Sequence, residues 1–138
     1  MTEKVFLDTN ILLYAHDLDA EEKRAIATHV VRQLWADRTG ILSTQVLYEL
    51  YLKITTPTST SAARRDARDL VNAYRVWPVV AIELVDILAA SDAEERFGLS
   101  FRDAMVVVAA LKARADILLT ENVPKEPIPG LEIRNPFA

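Results

Sequence analysis

The chain has 138 residues, 51% of them hydrophobic, with no cysteine and a formal charge of −4. That size and apolar content suit one domain, 1–138, with its own core, and the lack of cysteine excludes disulfides, thiolate metal sites and thiol catalysis. The negative charge argues against a broad basic face for nucleic acid, though not against an enzyme that meets RNA through bound cations and one local patch.

Glu3, Lys4 and Asp8 interrupt any signal-peptide core, and no uncharged run approaches the ~20 residues of a membrane span. The expectation is a soluble, cytoplasmic protein. Lys4 to Leu7 is predicted as a short buried strand and Ile11 to Ala15 as the start of a helix. Residues 19 to 36 follow as an amphipathic helix with Ile26, Val30, Val31 and Leu34 on its apolar side. Gly40 punctuates the chain before "ILS", a brief strand. "TQVLYELYLKI" is the next helix, with Val46, Leu47, Leu50, Tyr51 and Ile54 in one stripe. "TTPTSTS", residues 55 to 61, is a polar loop, and "AARRDARDLVNAY" is a helix with Arg65, Asp66, Arg68 and Asp69 outward. "VWPVVAI" is the third strand, and Glu83 to Phe97 is a helix ended by Gly98. "SFRDAMVVVAALKARA" is a mostly apolar helix, "DILLT" the fourth strand and "LEI" a candidate fifth. Four of the six prolines lie between Pro124 and Pro136, so the tail reads as ordered loop or cover.

Strands alternating with helices predict an α/β sandwich around a mostly parallel sheet. Ligands of such sheets bind outside the carboxyl ends of the strands, which directs attention to Asp8, Ser43, Thr44, Glu83 and the run Thr120 to Asn122. Asp8 follows the first strand directly; it serves equally as a helix N-cap or as a carboxylate at a cleft. Glu49 lies on the flank of its helix's apolar stripe, where an ordinary solvated glutamate is also at home. Asp103 stands three residues after Ser100, a capping-box spacing, but it opens a helix that must be buried and so can line the same cleft. Thr120, Glu121 and Asn122 read either as a turn or as part of that strand-end site.

Carboxylates brought together repel: two unit charges ~4 Å apart cost about 4 kcal/mol at an effective dielectric near 20. A cation or a shared proton must hold them. Oxygen donors without cysteine or paired histidines suit the hard ions Mg²⁺ and Mn²⁺, which activate water and stabilise charge on a phosphodiester. With three glycines there is no phosphate-cradling loop. His16 and His29 fall in different predicted helices and read as surface or packing residues.

"FLDTNILLYAH", "STQVLYELY", "GLSFRDAMVVVAA" and "ILLTEN", in that order and spacing, together resemble the PIN-domain ribonucleases, most closely the VapC toxins of type II toxin–antitoxin pairs. The resemblance spans nearly the whole chain, down to "LEIRNPF". It implies a PIN-like α/β/α sandwich with a sheet of four to five strands and a Mg²⁺ or Mn²⁺ site at its carboxyl edge. By matching motifs, Asp8, Glu49 and Asp103 take the acidic, metal-holding positions, with Asn10 and Thr120 as supporting polar residues. The family usually has an aspartate where this chain has Asn122, which keeps a carbonyl oxygen but removes a charge; Glu121 beside it compensates if the loop turns it inward. The resemblance also implies an antitoxin that covers the site, commonly with a basic side chain reaching the acids, and a homodimer. Arg64, Arg65 and Arg68, with Lys53, are candidates for phosphate contacts.

The leading expectation is a metal-dependent endoribonuclease in which Asp8, Glu49, Asp103 and Asn122 carry the chemistry. Two alternatives stay open: a PIN-like module that binds RNA or protein and is inert because of Asn122, and a phosphohydrolase with Asp8 as nucleophile. The last usually needs a second Asp two residues on, where this chain has Asn10.

Overall fold

Val5, Phe6 and Leu7 are all buried, and they form the middle strand of a five-stranded sheet. The computed structural model describes residues 3–17 and 20–138. The elements run β1 (Val5–Leu7), α1 (Thr9–Ala15), α2 (Glu21–Asp37), β2 (Gly40–Ser43), α3 (Thr44–Thr55), α4 (Ser61–Ala73), a 3₁₀ turn (Tyr74–Val76), β3 (Val79–Val80), α5 (Leu84–Phe97), α6 (Phe101–Lys112), β4 (Ile117–Leu119) and β5 (Glu132–Arg134). The predicted start of the second helix at residue 19 lies outside the described residues.

The strands lie in the order β3-β2-β1-β4-β5, and every neighbouring pair is parallel. Parallel pairs need crossover connections, which are right-handed almost without exception. Moving from β1 to β2 to β3 therefore puts α1 to α4 on one face, and returning to β4 puts α5 and α6 on the other. The direction of winding reverses between β1 and β4. In an open parallel sheet that reversal opens a crevice at the carboxyl edge, and Asp8 and Thr120 are the residues that follow these two strands.

Phe6, Leu7, Ile11, Leu12, Leu42, Val46, Leu50 and Leu118 are fully or almost fully buried, each contributing about 1.5–3 kcal/mol by leaving water. Alanines at 90, 93 and 104 let α5 and α6 approach closely. Local caps set the helix starts: Ser43, Thr60 and Ser100 each accept the backbone N–H three residues on. Gly98 ends α5 with φ 65°, as its position predicts. Among the described residues, no helix is long and apolar enough to cross a membrane.

Three details depart from the sequence reading. Ile26 is exposed, and α2 buries Ala27, Val31 and Leu34 instead, a stripe of period near four rotated by one position from the expected one. Gly40 is inside β2 rather than at the turn, which Arg38 makes with φ 57°. The third strand shrinks to two residues, because Pro78 has no N–H to donate and β3 lies at the sheet edge.

Candidate functional site

Asp8 is 2% exposed and acts both as a cap and as a buried acceptor. Its Oδ1 accepts from the Thr9 N–H at 2.6 Å, while its Oδ2 accepts from the Thr120 hydroxyl at 2.7 Å. The chain links β1 to β4 again through Asp8 N–H, which donates to the Leu119 carbonyl at 3.1 Å. Both carboxylate oxygens are thereby fixed, one from the start of α1 and one from the residue after β4, and the plane of the group cannot turn freely.

Glu49 comes from α3. Its Oε1 accepts from the Thr9 hydroxyl at 2.5 Å, so the residue after Asp8 tethers the second acid. Asp103 lies in the first turn of α6, where the Ser100 hydroxyl accepts from its backbone N–H at 3.1 Å. The Asp103 carboxylate does not complete the predicted capping box. It accepts from Arg102 at 3.0 Å.

Arg102 stands in the middle of the three acids. Its Nη2 donates to Asp8 Oδ1 at 2.5 Å, to Glu49 Oε1 at 2.7 Å and to the Thr9 hydroxyl at 3.1 Å. Its Nη1 donates to Asp8 Oδ2 at 3.1 Å and to Asp103, and its Nε to Glu49 Oε2 at 3.0 Å. Every guanidinium nitrogen thus bonds to the cluster. Burial, the largest single influence, weakens Arg102's hold on its proton, yet the hydrogen bonds and charges of Asp8 and Glu49 outweigh it, and the pKa lies above that of an ordinary arginine.

A cleft of about 1000 Å³ opens beside Asp103, with Arg96, Leu99, Asn122 and Lys125 among its other lining residues. Asp103 and Asn122 also line a small cavity of about 10 Å³ that reaches Asp8 and Thr120 over a floor of Val106 and Leu118. The small cavity holds two of the acids, Asp8 and Asp103.

The family model for the PIN domain matches residues 5–123, which include Asp8, Glu49, Asp103 and Asn122. The chain belongs to the PIN-domain family. Solved structures agree with this PIN assignment in fold. A toxin–antitoxin complex from Klebsiella pneumoniae is 18% identical with a TM-score of 0.70, covering 96% of this chain and 98% of that one. Mycobacterium tuberculosis VapC20, a sarcin–ricin loop cleaving toxin, is 18% identical with a TM-score of 0.65, covering 83% and 87%. VapBC2 from Rickettsia felis, bound to a DNA fragment from its promoter, is 20% identical with a TM-score of 0.67, covering 95% and 97%. Comparison with curated protein sequences gives no match.

PIN nucleases generally use a divalent metal. The donors here are all oxygens, from Asp8, Glu49 and Asp103, which suits a hard ion, and the three acids already converge on one positive group. The donor set therefore fits such an ion in its chemistry. In the arrangement with Arg102 inserted, no three acidic or imidazole side chains among the described residues stand close enough to one another to hold it.

The remaining predicted residues divide. Thr120 is buried beside Asp8, and its hydroxyl also accepts from the Asn122 N–H at 3.1 Å. Asn10 is half-buried in α1. Glu121 turns the other way: it accepts from the Tyr14 hydroxyl and from Lys23, each at 2.6 Å. Burial raises its pKa most, but Lys23 and Tyr14 together hold it below the usual range. Arg65 and Arg68 are exposed on α4 and Lys53 on α3, while Arg64 donates to the Ser59 carbonyl; none of the four hydrogen-bonds to the acids. His16 packs, its Nε2 2.9 Å from the Tyr74 hydroxyl, and burial lowers its pKa.

Thr9 and Arg102 are the site residues that the sequence reading missed. A signal for Arg102 exists: the first turn of a helix repels cations, so an arginine there implies a carboxylate partner nearby. Thr9 hides within "DTN" as one of three possible caps.

Proposed function

We propose that this protein is a metal-dependent endoribonuclease of the VapC type, the toxin of a toxin–antitoxin pair, working as a single cytoplasmic domain over residues 1–138. The observation that carries the reading is the convergence of Asp8, Glu49 and Asp103, from the end of β1, α3 and α6, on one cationic centre beside a cleft of about 1000 Å³. Asp8, Glu49 and Asp103 would hold Mg²⁺ or Mn²⁺. When bound, that ion lowers the pKa of water and offsets charge on the phosphodiester.

The protein's own contribution is positional. Thr120 and the Thr9 N–H orient Asp8, and the Thr9 hydroxyl orients Glu49; such supporting bonds commonly matter nearly as much as the ligands. Asp103, which lines the cleft with Asn122, would take a proton from the attacking water, and Asn122 would orient that water through its amide. The new P–O bond would form as the bond to the leaving ribose oxygen breaks and that oxygen takes up a proton from solvent. Asn10 and Glu121 remain supporting residues in this reading, Glu121 by holding the loop through Tyr14 and Lys23. Arg96 and Lys125 in the cleft join Arg64, Arg65, Arg68 and Lys53 as candidates to meet backbone phosphates. Titrating purified, antitoxin-free protein with Mg²⁺ or Mn²⁺ is expected to produce discrete fragments from a panel of structured RNAs, and excess EDTA to abolish them. Cleavage unaffected by EDTA would remove the metal from the mechanism.

The toxin–antitoxin assemblies among the structural neighbours support an antitoxin partner. A protein partner, either an antitoxin or a second copy, is further supported by α5, which leaves Leu84 73% exposed and Val85 and Leu88 exposed beside it.

Asn122 and the inserted Arg102 favour a second reading, an inert PIN module that binds RNA or protein. Asn122→Asp discriminates. It returns a carboxylate to the cavity shared with Asp8 and Asp103, and a gain in cleavage of about tenfold, or 1.4 kcal/mol of transition-state stabilisation, is expected. No gain, in protein that binds RNA, would favour the binder.

A further inference from the structure

Arg102 is a costly residue to place where it is. It sits at the positive end of α6, against the helix dipole, and its side chain is only 32% exposed. A surface ion pair would need one partner. Arg102 has four, Asp8, Thr9, Glu49 and Asp103, and the donors of Nε, Nη1 and Nη2 are all directed at them. Two of the acids are met in forked fashion, each giving both of its oxygens, the geometry in which guanidinium–carboxylate pairs are strongest.

The oxygens that Arg102 occupies are the ones a divalent ion would need. Asp8 and Glu49 have both of their oxygens committed to it, so ion and guanidinium cannot hold them together. The charges are also unequal. Three acids face a single positive charge, and the excess favours a divalent cation over a monovalent one. The partly exposed, flexible arginine stem leaves the head free to withdraw toward solvent without unfolding α6.

We infer that Arg102 is an internal counter-ion that keeps the acid cluster assembled without metal and competes with the divalent ion for Asp8 and Glu49. It rests on the metal-dependent reading above. In the metal-free protein Arg102 suppresses repulsion among the acids; ion entry requires the guanidinium to leave. Metal affinity is therefore set by Arg102 as much as by the ligands.

The test is direct binding of Mn²⁺ alone to the full chain, followed by electron paramagnetic resonance of the free ion, with no RNA present. Arg102→Met keeps the length of the side chain and removes its charge and donors. It is expected to bind Mn²⁺ at least tenfold more tightly than the wild type, to melt at a lower temperature in EDTA, and to regain that loss when Mn²⁺ is added. Arg102→Lys, which keeps the charge but loses the fork, is expected to bind several-fold more tightly than the wild type, and it decides the question if Arg102→Met does not fold. Equal or weaker Mn²⁺ binding by the folded variants, with Asp8→Asn abolishing it, would overturn the competition while leaving the metal site standing. No Mn²⁺ binding by the wild type or by either folded variant would overturn both.

Discussion

Asp8→Asn is expected to lower RNA cleavage by about three orders of magnitude or more, equivalent to about 4 kcal/mol of transition-state stabilisation, with the fold retained. The two effects separate because Asp8 has two roles. As a cap, asparagine replaces aspartate almost without loss, so the bond from Thr9 N–H survives. As a carboxylate it has no substitute. The new side-chain amide would place a donor toward the Arg102 Nη1 and Thr120 hydroxyl groups that now donate to Asp8 Oδ2; the hydroxyl can rotate and accept, but the guanidinium cannot. A modest loss of about 1–2 kcal/mol in stability follows from that unmatched pair. Cleavage of an RNA panel, run beside thermal unfolding by circular dichroism, reads both quantities. A folded variant that cuts as fast as the wild type would sink the assignment of Asp8.

The largest effect on stability is expected away from the acids. Gly40→Ala should cost about 1–3 kcal/mol, as overpacking does. A Cβ at position 40 would overlap Trp77 Cζ3 and lie 2.7 Å from both Cε3 and Cη2, so the indole lies directly against the backbone of β2. The ring is braced by two aromatic neighbours, although it also borders a cavity of about 540 Å³ with Gly40 and Pro78. It packs against Trp35 and Tyr74 with centroids 5.4 and 5.2 Å away, and those two rings lie 5.1 Å from each other. Urea unfolding measures the cost. In a Trp77→Val background the same substitution should be nearly neutral, a coupling that assigns the penalty to the ring; an equal cost in both backgrounds would point instead to β2 itself.

Gly40 also shows what a linear reading can and cannot reach. A glycine between a helix and a strand reads as punctuation, because turns are the common local reason for one. Its actual reason is a tryptophan from beyond α4, which only the folded sheet brings there. The strands, the helix end at Gly98 and the cap at Ser100 were legible because each depends on residues within a few positions; the caps at Ser43 and Thr60 are equally local but went unread in a strand end and a polar loop. Asp8 was legible as a strand-end acid for the same reason, and so was Thr120. Glu49 looked solvated on its helix; its partners, Thr9 and Arg102, lie 40 and 53 residues away. The Arg102 to Asp8 bond spans 94 positions, and no periodicity encodes it. Glu121 departs for a comparable reason, since Lys23 and Tyr14 draw it from across the sequence.

The placement of β4 beside β1 has a consequence for the order in which the protein comes into being. Asp8 is synthesised well before Thr120 and Leu119, which hold it and lie over a hundred positions later. Closing so long a loop is entropically slow relative to local folding, and it cannot begin before β4 has been synthesised. A nascent chain therefore carries its first acid without the arrangement that aims it. The site exists only once its two ends, more than a hundred positions apart, have both been made.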